Sequence, residues 1–166
     1  MNLLWDYFWP CLATGLLTGG IAGLVAYRRR KRLNAALVLG LFISLGLVAL
    51  WHGPLGAAER LTRSVERDAR QALNYYEMTK VTAHLHRGPL TRRLILAGTA
   101  DDFQTSELVR LFSQLPGVSQ AQWTDEPAGP PLILEAFGVA IGGFLSGLLL
   151  AYLIELRRRY NAQWTW

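Results

Sequence analysis

Three stretches of the sequence, residues 10–26, 33–50 and 136–154, contain no charged side chain. A helix needs about 20 apolar residues to cross roughly 30 Å of hydrocarbon. In lipid each backbone N–H and C=O must be satisfied within the segment, so an isolated apolar run of this kind can only be a helix. The chain is therefore expected to be a membrane α-helical protein with three transmembrane helices. One stretch between the second and third runs is left for a small α+β domain. The expected division has an exported aromatic segment at 1–9, transmembrane helices at 10–27, 33–51 and 132–155, and a basic cytoplasmic loop at 28–32. The α+β domain occupies 56–124, a Pro/Gly tether 125–131 and a cytoplasmic tail 156–166.

Charge gives these crossings a direction. The net charge is +5 over 166 residues. Of the 17 basic residues, five form the run Arg28, Arg29, Arg30, Lys31 and Arg32, and three form Arg157, Arg158 and Arg159. The soluble segment, residues 52–130, holds nine basic and nine acidic residues, so it is neutral. Short Lys/Arg-rich loops are retained on the cytoplasmic side. Both clusters then lie inside, and the N-terminus and the central domain lie outside, which in a bacterial inner membrane is the periplasm. A basic excess confined to membrane flanks argues against a nucleic-acid partner, which would need the charge gathered on one folded face.

The N-terminus is not expected to be a cleaved signal. Secretory signals place positive charge ahead of their apolar run, whereas here the first ten residues contain none and the cluster follows the run. The single cysteine, Cys11, lies inside the first span, so no intrachain disulfide can form. Trp5, Tyr7, Phe8, Trp9 and Trp51 fall at the expected outer interface, and Tyr27, Tyr152 and Tyr160 at the inner one, the two depths that amphipathic rings favour.

Gly15, Gly19 and Gly23 recur every fourth residue, one stripe of the first helix. The third span carries two such pairs, Gly138/Gly142 and Gly143/Gly147. Small residues at this spacing let helix backbones approach closely, and in lipid that packing drives association. The stripes fit a partner helix in this chain or in another protein equally well. The second span is leucine-rich with no such stripe, which predicts a lipid-facing helix. Thr14, Thr18, Ser44 and Ser146 can each bond their own helix backbone. No His, Lys, Arg or Asp enters a span to offer an ion or proton path, so transport by this chain alone is not expected.

In the central segment, Leu61, Val65, Ala69, Ala72, Leu73 and Tyr76 follow helical spacing over 57–76, with Glu59/Arg63 and Glu66/Arg70 as i,i+4 ion pairs. The period then changes to two. Val81, Ala83 and Leu85 alternate with Thr82, His84 and His86, which predicts a half-buried strand. A turn at 87–91 leads to a second strand at 93–97, ended by Gly98. Asp101 or Asp102 caps a helix carrying Leu108, Leu111, Phe112 and Leu115. Pro116-Gly117 stops it, and 118–123 forms a third strand. The expected order is α-β-β-α-β.

The segment Leu94-Ile95-Leu96-Ala97-Gly98-Thr99-Ala100 resembles the second strand and signature glycine of the BON domain. Leu115-Pro116-Gly117-Val118 resembles that family's late Pro-Gly-Val corner. The resemblance covers about residues 57–123 and implies a non-enzymatic envelope module that binds phospholipid or holds protein assemblies together. Such modules often occur in pairs on exported soluble chains, whereas here one copy sits between membrane spans, which favours a fixed scaffold.

The sequence carries little reaction chemistry. His84 and His86 sit at i,i+2 on one strand face, and with His52 they could be metal ligands. With no Cys, Asp or Glu at ligand spacing, they read better as a solvated or partner-facing surface. No nucleotide-binding or nucleophile motif stands in a strand–helix context. No catalytic residue, metal or cofactor is expected. Trp164 and Trp166 on the C-terminal tail lie in the headgroup layer or anchor in a partner's groove. The expected function is a non-catalytic accessory subunit of a larger inner-membrane complex, contacting other integral membrane subunits and, where it meets them, lipid headgroups. The alternative is a membrane-anchored phospholipid-binding module.

Overall fold

A computed structural model describes residues 3–28, 33–123 and 129–162. Arg29, Arg30, Lys31, Arg32, Trp164, Trp166 and most of the expected tether lie outside the described residues. In chain order the elements are α1 (Leu3–Arg28), α2 (Leu33–His52), α3 (Ala57–Tyr75), β1 (Val81–Arg87), β2 (Leu90–Gly98), α4 (Asp102–Phe112), β3 (Gln120–Gln122) and α5 (Leu132–Ala162). Three of them, α1, α2 and α5, are long and apolar enough to cross a membrane. The protein is mostly helical, with one small three-stranded sheet, and it divides into two compact units.

The first unit comprises residues 1–7 and 56–135. Its sheet has the order β1-β2-β3. β1 and β2 form an antiparallel hairpin in the register Val81↔Gly98, Ala83↔Leu96 and Leu85↔Leu94. β3 joins β2 in parallel, with Leu94 opposite Ala121. This register places Val81, Leu85, Leu94, Leu96 and Ala121 on one face, and all are buried there with Leu61, Val65, Ala69 and Leu73 of α3 and Leu108 and Phe112 of α4. The period-two and period-3.6 patterns of the sequence thus supply two sides of one core. On the opposite face Thr82 and His84 are exposed, while Ile95, between His84 and Gln122 in the register, is buried.

Local chemistry fixes the ends of these elements. Asp101 caps α4: its carboxylate accepts from the Gln104 N–H at 2.6 Å, and the Gln104 side chain accepts from the Asp101 N–H at 3.2 Å. This reciprocal box satisfies two donors that a helix start otherwise leaves open. Gly98 ends β2 with φ +143, and a Cβ there would strike the Lys80 carbonyl oxygen. Gly117 (φ +97) turns the chain where a Cβ would come within 2.8 Å of Val65 Cγ2.

Several boundaries depart from expectation. α1 begins at Leu3, so residues 3–9 belong to the helix instead of forming a separate aromatic segment, and Pro10 lies inside it instead of at its first turn. Proline there forgoes one bond to the carbonyl four residues back, a loss tolerated in apolar helices. Asp6 in the first turn complements the positive end of the helix dipole. Tyr7 is buried, unlike the exposed Trp5 and Trp9. α5 continues past 155 to Ala162, its last turns carrying the pair Arg159–Glu155 at 3.0 Å. The third strand shrinks to three residues, because the amide and hydroxyl of Ser119 both donate to the Arg92 carbonyl before regular pairing begins. Tyr76, expected on the apolar side of α3, is 43% exposed.

The second unit comprises residues 8–55 and 136–166. Among its described residues the buried side chains are mostly small: Cys11, Ala22 and Ala26 of α1, Ser44 and Val48 of α2, and Ala136, Ala140 and Ala151 of α5, together with the large Phe144.

Candidate interaction surfaces

The glycines of the membrane-type helices separate into two groups. A Cβ on Gly15 would run into the Ala140 carbonyl oxygen and lie 2.9 Å from the Phe144 nitrogen, and one on Gly19 would meet the Phe144 carbonyl. From the other side, a Cβ on Gly143 would approach the Leu12 carbonyl oxygen to 2.5 Å, and one on Gly147 would come within 2.6 Å of the Gly20 nitrogen. Gly23 abuts the Ala151 methyl, where a Cβ would stand at 2.7 Å. Residues of α1 and α5 therefore touch backbone to backbone, a closeness that only a missing side chain allows. Next along this seam, the Tyr27 and Tyr152 rings meet edge to face with centroids 5.8 Å apart.

Gly138 and Gly142 are different. Nothing lies within 4 Å of a Cβ built on either. One turn further, Ser146 donates its hydroxyl to the Gly142 carbonyl at 2.9 Å, which leaves a third small position on the same exposed stripe. The two glycine pairs of α5 thus face in different directions, one toward α1 and one away from it.

The second helix carries a small-residue seam that the sequence reading passed over. Gly40 sits where a Cβ would come within 2.7 Å of the Ala22 methyl, and Ser44 and Val48 follow it four and eight residues on, both buried. The spacing of Ala36, Gly40 and Ser44 was the available signal, hidden among leucines. Thr18 bonds its own backbone as expected, at 2.8 Å to the Thr14 carbonyl. The Ser44 hydroxyl, by contrast, is buried without a hydrogen-bond partner. Of the two basic clusters, Arg28 closes α1, and Arg157, Arg158 and Arg159 are exposed on α5.

In the first unit, His84 is exposed, and His86 Nδ1 lies 3.0 Å from the Pro89 carbonyl oxygen, a bond internal to the hairpin. Among the described residues no group of three His, Cys, Asp or Glu is arranged to hold a metal ion. Two charged contacts matter more, and neither was legible. Glu66 pairs with Arg87 at 3.0 Å instead of with Arg70, and it also accepts the Leu85 N–H at 3.2 Å. Leu85 is a residue of β1 whose amide points away from β2, so the carboxylate covers part of the sheet's open edge. On β2, Arg92 Nε lies 2.9 Å from Glu135 Oε2, with both side chains about three-quarters buried. That ion pair ties the sheet to the first turn of α5. The expected pair Glu59–Arg63 does form, on the exposed side of α3.

Large apolar side chains remain exposed at one end of the sheet, where α3 stops, β2 finishes and α4 begins: Tyr75 (81%) and Phe103 (74%). These exposed rings offer a docking surface on the first unit. Comparison of the chain with protein families, with curated proteins and with solved structures finds no match.

Proposed function

We propose that this chain is a non-catalytic structural subunit of a larger inner-membrane complex, with its α+β domain on the periplasmic side. The observation that carries the reading is the second glycine face of α5, where Gly138 and Gly142 meet open space. The chain's own helices already use Gly15, Gly19, Gly143 and Gly147, so the open face is left for a helix of another subunit. The domain, read as a BON-like module, adds exposed Tyr75 and Phe103 as a second contact outside the bilayer.

The test compares two substitutions. Gly142→Leu fills only open space and is expected to leave the chain's own folding intact while cutting recovery of the partner subunit at least tenfold after gentle extraction. Gly19→Leu drives a side chain into the Phe144 backbone and is expected to destabilise the chain itself by about 1–3 kcal/mol. A wild-type chain that extracts with no stoichiometric partner, or a Gly142→Leu variant that keeps its partner, contradicts the proposal.

A further inference from the structure

Between α1 and α2 runs a groove of about 270 Å³ with an almost wholly apolar lining. Its floor is the contact of Ala22 with Gly40, and Ile21 and Leu39, both more than 60% exposed, stand as its walls. Val25 and Ala36 close the end of the groove that lies within one helical turn of Arg28 and Leu33. We propose that this groove seats one acyl chain of an anionic phospholipid whose headgroup is held at the Arg28 end.

Three observations select that occupant. The groove has the protruding branched side chains of Ile21 and Leu39 as walls, unlike the flat small-residue face a helix backbone needs. It follows the helix axes for some seven residues, or about 10 Å at 1.5 Å per residue, which suits an extended hydrocarbon chain. The charge at its end is strongly one-sided. Arg28 is exposed there, and Arg157 and Arg158 of α5 stand at the same end as the Tyr27–Tyr152 contact. The only acid in residues 8–55 and 136–166 is Glu155, which is paired with Arg159. Clustered Lys and Arg beside a membrane helix attract anionic headgroups at about 1 kcal/mol per cation. This inference rests on membrane insertion of the three helices and is independent of any partner subunit.

The experiment is native mass spectrometry of the full chain released from nanodiscs containing equal amounts of phosphatidylglycerol and phosphatidylcholine with identical acyl chains. One phosphatidylglycerol is expected to stay bound, favoured at least tenfold over phosphatidylcholine. Arg28→Gln is expected to narrow that preference at least threefold. Ala36→Phe and, from the facing helix, Val25→Phe fill the groove and are expected to lower lipid retention at least tenfold at unchanged helical circular dichroism. Retention of no lipid, equal retention of both, or undiminished binding in the two filled variants would overturn the proposal. So would loss of a bound polypeptide, instead of a lipid, from those variants. Because the isolated chain is used, failure here leaves the Gly142 comparison untouched.

Discussion

At the residue scale the most exacting position is Gly98. Its φ of +143 is closed to side-chain-bearing residues, and the Lys80 carbonyl fills the space a Cβ would take. Gly98→Ala is expected to cost about 1–3 kcal/mol, the usual range for a residue forced into a forbidden backbone region. The measurement is amide hydrogen exchange across 81–98 in the intact protein, which should accelerate. Gly88→Ala, where nothing lies within 4 Å, should leave it unchanged. Gly98 and a cap at Asp101 or Asp102 were legible in the sequence because their causes are local: a strand that must stop, and a carboxylate ahead of an apolar helical repeat; the structure assigns the cap to Asp101. The glycines of α1 and α5 were legible only as a class. Which of them another helix covers depends on how the helices cross, and residue spacing alone does not encode that.

At the element scale the same distinction separates Glu59 from Glu66. Both have an arginine four residues on, yet only Glu59 uses it. Glu66 lies where α3 passes β1, and there a strand amide and Arg87 outbid an exposed neighbour on the same helix. Glu66→Ala would leave the Leu85 N–H without this acceptor and Arg87 unpaired, at an expected cost of about 1–3 kcal/mol. Glu66→Gln should recover part of it by still accepting from Leu85. Exchange protection of the Leu85 amide reads both effects directly. Exposure of this strand edge should also make the Glu66→Ala protein more prone to associate on concentration. The element order α-β-β-α-β could be read from the change in hydrophobic period, whereas the start of α1 could not. Proline normally marks a helix's first turn, and the exception arises because the mostly apolar and aromatic residues 3–9 continue the helix upstream of it.

At the scale of the whole molecule, three apolar helices carry little reactive chemistry and much packing surface, and the α+β unit is charge-balanced. The proposed assembly role stands on the assignment of the central domain to one side of the membrane and both arginine clusters to the other. The direct test replaces Cys11 with Ser and introduces one cysteine at a time, at the exposed positions Gln71 and Arg158. In intact spheroplasts a membrane-impermeant maleimide is expected to label Gln71→Cys fully and Arg158→Cys only after lysis. Labelling of Arg158→Cys before lysis, with Gln71→Cys protected, would contradict the account.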